Sequence, residues 1–193
     1  KKLGFKNRCR FYELPKDKGI IFAPARMKVY LEYSQKIIEI FLNYVPIEDL
    51  HIYSVDESFL DVTETMHLFA KGVVEMAKIV ITDVKNKTGL LSACGIGPNM
   101  LLAKLSLDLE AKKNPDGIAY WNYNDVENKL WPVTPLSKMW GIGVNLEKTL
   151  NSMGIYKVGD IAKCEKTRLR KKLGIIGEEL YYHSHGLDRS RIR

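Results

Sequence analysis

The stretch "HIYSVDESFLDVT" at residues 51–63 sets two carboxylates side by side inside a run that otherwise reads as strand. Residues 51–55 and 59–63 are rich in β-branched and aromatic side chains, the composition that fits a pleated sheet. Asp56, Glu57 and Ser58 between them have the polarity of a tight turn. The segment predicts a β-hairpin with Asp56 and Glu57 at its tip, where both side chains leave the sheet on one side. Two like charges this close disfavour each other's ionised form and cost stability unless something neutralises them. Solvent does this at an ordinary polar turn. A divalent cation does it too: adjacent carboxylates suit Mg²⁺, a hard ion that takes oxygen ligands from one or two carboxylates plus substrate phosphates.

Upstream of the hairpin, "GIIFAPA" (19–25) reads as a short strand ended by Pro24. From Arg26 the pattern turns helical, with Met27, Tyr30, Leu31, Ile37, Ile38, Phe41 and Leu42 on one face and Pro46 as the stop. Downstream, a second helix is expected over 65–87, with Phe69, Val73, Met76, Ala77, Val80 and Val84 turned inward. A turn and buried strand follow in 88–99, then a third helix over 100–111 capped by Asn99. "PDGIAYW" (115–121) reads as a strand and 124–131 as a short helix. Strands and helices mixed this evenly predict an α+β fold, a sheet with helices on one face. After "WPVTPLS" (131–137) only short helices broken by Gly remain, the pattern of a small helical domain.

The 193 residues are enough for one large or two small domains, and 46% hydrophobic residues can bury a core. No stretch approaches the roughly 18 apolar residues of a membrane helix, and no signal-peptide pattern opens the chain. A first residue of Lys rather than Met is the mark expected of a fragment or a processed product. Cys9, Cys94 and Cys164 are scattered, which argues against a disulfide framework or zinc site and for a reduced, cytosolic setting. His183 and His185 lie two apart on a helical stretch and face different ways. Charge is partitioned: residues 1–40 carry 10 basic and 4 acidic side chains, 41–133 carry 8 and 13, and 134–193 carry 12 and 6. Basic flanks around an acidic centre fit a polyanion held at the flanks while cations sit in the centre.

The segment "LSKMWGIGVNLEKTLNSMGIYKVGDIAK" (136–163) carries a second signal. Gly141, Ile142 and Gly143 fall between two helical patterns; Leu146, Leu150 and Met153 form the apolar face of the next helix, which Gly154 ends. Glycines let backbone N–H groups face outward, and a helix N-terminus adds partial positive charge, so this turn can receive one phosphate of a nucleic-acid backbone. A helix cap followed by a turn would account for the glycines equally well. The wider pattern is more specific and resembles the helix-hairpin-helix module, which grips DNA backbones without reading bases.

In this order, "YSVDESFLDVT", "TGLLSACGIGPNMLLAKLSLDL" and "LSKMWGIGVNLEKTLNSMGIYKVGDIA" resemble Y-family translesion DNA polymerases, and among them the UmuC-like branch, also called ImpB/MucB/SamB. The likeness runs over nearly the whole chain. It implies a tail of the fingers at 1–19, a catalytic palm with a ferredoxin-like sheet at 20–132, and a helical thumb with a helix-hairpin-helix at 133–193. It implies that Asp56 and Glu57 ligate two catalytic Mg²⁺ ions and that Ser54 lies near the primer terminus. Lys112 or Lys113, in "KKNPDG" where the family usually has K-P-N-G, is implied to meet the triphosphate of the incoming deoxynucleotide. Lys104 matches a family lysine that either contacts DNA or simply packs. Gly141, Ile142, Gly143, Val144 and Lys148 would hold the DNA backbone.

The implied reaction is template-directed nucleotidyl transfer to a primer 3′-hydroxyl during error-prone bypass of DNA damage. The implied partners are primer–template DNA, a deoxynucleoside triphosphate and, through a C-terminal region outside the chain, a sliding clamp; no membrane is involved and the setting is the cytoplasm. The family's further acidic residue on an N-terminal palm strand, its ribonucleotide-excluding aromatic residue and its little finger have no counterpart in these 193 residues, so the chain alone is expected not to polymerise. Two rival readings are a non-catalytic DNA-docking module that uses the glycine turn, and a palm-type nucleotidyl cyclase. The helix-hairpin-helix argues against the cyclase, which has no duplex to grip.

Overall fold

The computed structural model describes residues 23–192 together with 10, 12 and 21. The fingers tail expected at 1–19 and the strand expected at 19–25 lie largely outside the described residues; of that strand, residues 21 and 23–25 are described and are in no strand. Helix α1 (Met27–Phe41) packs on α2 (Val73–Thr88). Between them runs the hairpin of β1 (Leu50–Ile52) and β2 (Ser58–Leu60), antiparallel with Leu50 opposite Leu60 and Ile52 opposite Ser58. Strand β3 (Cys94–Ile96) leads into α3 (Met100–Leu109), which crosses over to β4 (Ile118–Tyr120), parallel to β3. A helix is the connection that a parallel pair needs. Among the described residues four short α-helices follow: α4 (Val144–Ser152), α5 (Val158–Lys163), α6 (Lys166–Leu173) and α7 (Ile175–Ser184). The α+β character holds; among the described residues the sheet is divided into two pairs of three-residue strands.

Local chemistry accounts for several boundaries. Asn99 Oδ1 accepts the Leu102 N–H at 2.9 Å, which fixes the start of α3. Gly89, at φ 75°, ends α2 in the left-handed conformation. The face expected of α2 is confirmed at Met76, Ala77, Val80 and Val84, all buried. The helix starts at Val73 rather than 65, because Gly72 interrupts the run; Phe69 lies in the turn before it and meets Tyr44 edge-on at 5.1 Å. Helix α1 differs more. Ile40, outside the face read from the periodicity, is its one buried residue, while Met27, Tyr30, Leu31 and Leu42 are exposed. Periodicity reports which side is apolar, not how much of that side a neighbour covers.

Gly95 and Gly97 set how closely α3 lies on β3. A Cβ at Gly95 would stand 2.1 Å from the Ala103 carbonyl oxygen and 2.4 Å from the Leu107 nitrogen, and one at Gly97 would stand 2.5 Å from the Ala103 nitrogen. The Ser106 hydroxyl donates to the Ile96 carbonyl at 3.2 Å across the same contact. Leu101, Leu102 and Leu105 of α3 are fully buried in one apolar cluster with Leu130, Leu136, Leu150, Val158 and Leu169. Each such side chain contributes about 1.5–3 kcal/mol by leaving water. This cluster spans both sides of residue 133, so α3 and the C-terminal helices share a core.

Candidate active site and nucleic-acid interface

The hairpin tip lies two residues earlier than the sequence implied. The Tyr53 and Ser54 N–H groups both donate to the Glu57 carbonyl, at 3.0 and 2.9 Å, leaving 54–56 as the loop and placing Ser58 in β2. Asp56 is exposed, and its Oδ1 accepts the Ser54 hydroxyl at 2.8 Å. Glu57 is half-buried and turns toward α3. The two carboxylates are therefore neighbours in different surroundings, Asp56 open to solvent and Glu57 backed by cations.

Those cations come from one face of α3 and the turn after it. Lys104, only 8% exposed, donates to both Glu57 oxygens at 2.7 Å and lies 3.2 Å from Asp108. Lys112 lies 2.5 Å from Asp108 and 3.7 Å from Glu57. Residues 104, 108 and 112 are spaced by four, so one side of a helix and its continuation presents an alternating row to the hairpin. Burial works against the Lys104 ammonium, but hydrogen bonds to Glu57 and Asp108 outweigh it and its pKa is raised. Burial likewise works against ionised Asp108, but hydrogen bonds from Lys112 and Lys104 prevail and its pKa is lowered. Lys104 and Asp108 are thus each held toward their charged forms by the other.

The two lysines that the sequence could not separate part company here. Lys112 faces Glu57 and Asp108, whereas the Lys113 ammonium donates to the Leu109 carbonyl at 2.6 Å and lines a groove with Glu110, Trp121 and Lys129. Lys104 is an internal counter-charge for Glu57, with its ammonium occupied. Asp108 was missed by the motif reading; its i+4 spacing from Lys104 and before Lys112 was the available signal.

Asp56 and Glu57 offer oxygen donors only, a set that fits a hard divalent ion whose other ligands are phosphates and water. Among the described residues no three His, Cys, Asp or Glu side chains converge as metal ligands. The pair can supply part of a coordination sphere, with substrate supplying more.

The second site is the turn before α4. Gly141 adopts φ 90°, where side chains are strained, and Ile142 is buried in the core as the anchor of the turn. Gly143 is the N-cap at φ −87°, and a Cβ on either glycine would meet open space. Neither internal packing nor backbone angle demands glycine at 143; an open approach to the backbone from outside does profit from it. The first turn of α4 leaves N–H groups without intrahelical acceptors, and Glu147 is the first to reach one, donating to the Gly143 carbonyl at 2.9 Å. Val144 and Lys148 are exposed beside these groups.

Comparison with known proteins gives one consistent answer. Residues 1–108 match the impB/mucB/samB family, and residues 123–155 match the HHH motif of the IMS family. A Bacillus subtilis (strain 168) protein whose name is UV-damage repair protein UvrX is 47% identical over 192 residues, 100% of this chain and 45% of its own length. DNA polymerase IV of Pelotomaculum thermopropionicum is 34% identical over 172 residues, 89% of this chain and 41% of its own length. The crystal structure of a DinB family error-prone DNA polymerase from Sulfolobus solfataricus shares the fold, with a TM-score of 0.80 at 24% identity over 99% of this chain and 56% of that one. The chain spans about half the length of the curated relatives it matches.

Proposed function

The chain belongs to the impB/mucB/samB family, and on that premise we propose that it forms the catalytic palm (20–132) and DNA-gripping thumb (133–193) of an error-prone translesion DNA polymerase. One observation carries this reading. Glu57 at the hairpin meets the charged row of α3 and its continuation with Asp56 open beside it, and the glycine turn is joined to the same hairpin through Trp140 and Tyr53.

In this reading Asp56 and Glu57 hold two Mg²⁺ ions together with the triphosphate of a deoxynucleotide. Divalent ions held there supply a lowered pKa at the primer 3′-hydroxyl and charge neutralisation at the leaving pyrophosphate. The protein itself positions and screens. Lys104 orients Glu57 through hydrogen bonds to both its oxygens, and Asp108 holds Lys104 and Lys112 apart at fixed places. Lys112, at the open side of the row, meets the incoming triphosphate. Ser54 fixes the Asp56 carboxylate beside the primer terminus. The first N–H groups of α4 and Lys148 take phosphates of the duplex, a grip indifferent to base sequence. A sliding clamp would be engaged by parts of the protein outside the chain, in the cytoplasm; no described helix is long and apolar enough to cross a membrane.

Primer extension by the full-length protein tests the chemistry: incorporation must require template and a divalent ion. Fluorescence anisotropy on two unrelated duplexes tests the grip. Val at both 141 and 143 is expected to weaken both duplexes about equally, and Lys148→Ala to lower the slope of log K against log salt by about one. Circular dichroism must show the helices intact. Unchanged affinity in a folded double-glycine variant would mean that these glycines only end one helix and begin another.

A further inference from the structure

We propose that Trp140 is a positioning residue, the joint through which the DNA-gripping turn is held in register with the carboxylate pair. Trp140 immediately precedes Gly141. Its indole N–H donates to the Tyr53 hydroxyl at 3.2 Å. Its ring meets Tyr53 edge-on, with centroids 5.7 Å apart at 79°, and lies 6.1 Å from Phe59 at 36°. Tyr53 and Phe59 are themselves edge-on at 5.8 Å. The three rings thus come from both sides of the Asp56–Glu57 loop and from the first residue before the turn. Tyr53 is bound to the site a second time, its N–H on the Glu57 carbonyl at 3.0 Å and its ring centroid 6.0 Å from the Lys104 ammonium.

This arrangement has a consequence for chemistry. A phosphate held at 141–144 fixes the duplex, while Asp56 and Glu57 fix the reacting end. Misplacement by about 1 Å can cost on the order of a hundredfold in rate. At the turn Ile142 is sunk in the core between two glycines, and 54–56 is an exposed loop, so the spacing between turn and hairpin is set elsewhere. The aromatic joint supplies it. Met139 and Ile142, buried on either side of the Trp140–Gly141 step, keep the turn's own end of the joint fixed.

The inference rests on the polymerase reading, and its test separates the two. The full-length protein is measured for duplex affinity with and without Mn²⁺, no nucleotide present, in wild type, Trp140→Ala, Trp140→Phe and Tyr53→Phe. In wild type Mn²⁺ is expected to change duplex affinity about fivefold or more, the lower range of coupling between linked sites. Trp140→Ala is expected to abolish that dependence while holding metal-free affinity within about twofold, and Trp140→Phe and Tyr53→Phe to reduce it. In extension assays Trp140→Ala should lower kcat at saturating duplex by about tenfold or more. Mn²⁺ dependence that persists in Trp140→Ala, or is missing in wild type, overturns the joint, as does a parallel fall of melting temperature, metal-free affinity and rate. If Trp140→Ala does not fold, the two conservative variants decide by the same measurement. A wild-type protein that extends no primer overturns the polymerase reading, while the Mn²⁺ dependence still judges the joint.

Discussion

Replacing Asp56 by Asn together with Glu57 by Gln is expected to lower template-directed primer extension by the full-length protein about a thousandfold or more, with duplex affinity within about twofold of wild type. The magnitude follows from what the pair is asked to do. Ions held by carboxylates contribute several kcal/mol of charge stabilisation at the reacting phosphoryl group, and each 1.4 kcal/mol is a factor of ten. Both replacements keep size and shape, so the bonds from Tyr53 and Ser54 to the Glu57 carbonyl should survive. The Glu57 change leaves buried Lys104 with Asp108 as its remaining carboxylate, so a small fall in melting temperature is expected alongside. Primer extension assayed beside duplex anisotropy separates the outcomes. Extension at near-normal rate removes the pair from the chemistry; loss of both activities means that the hairpin has collapsed.

Gly95→Val is expected to have the largest effect on stability, about 3 kcal/mol or more, a drop in melting temperature of roughly 10 °C. The obstacle is backbone. The Ala103 carbonyl and the Leu107 nitrogen would stand 2.1 and 2.4 Å from the new Cβ, and neither can move without α3. That helix carries Lys104 and Asp108 and buries Leu101, Leu102 and Leu105, so lifting it disturbs the charged row and the core together. Gly72→Ala is the matched control, because a Cβ there meets nothing within 4 Å. Differential scanning calorimetry of the two variants checks the contrast; equal melting temperatures would mean that α3 does not need glycine beneath it.

Much of this was legible in the sequence where the signal is local. Asn99 announced the start of α3 because a cap is one side chain bonding three residues ahead. The β-branched and aromatic residues on either side of Asp56 and Glu57 announced a hairpin, though its exposed loop is 54–56 rather than 56–58. The G-I-G step announced a turn between helices, and Ile142 proved to be its buried anchor. What escaped depends on contacts distant in sequence. Lys104 was read as a DNA contact or a packed stem, and the structure engages it with Glu57, 47 residues away. Lys112 and Lys113 are indistinguishable as neighbours, and only the end of α3 turns one to the carboxylates and the other to the Leu109 carbonyl. Tyr53 and Trp140 meet across 87 residues, and no local pattern singles out either. The exposed first half of α1 escaped for the same reason, since amphipathicity is local and its cover is not.

Direct metal binding tests the central claim most closely, that Asp56 and Glu57 are the metal ligands of a DNA polymerase. Mn²⁺ titrated into full-length protein with primer–template duplex and a non-hydrolysable deoxynucleotide analogue, followed by electron paramagnetic resonance, should show saturable binding that Mg²⁺ displaces. The Asp56→Asn, Glu57→Gln variant should lose that binding while still holding the duplex. The same stoichiometry and affinity for Mn²⁺ in the variant would contradict the claim.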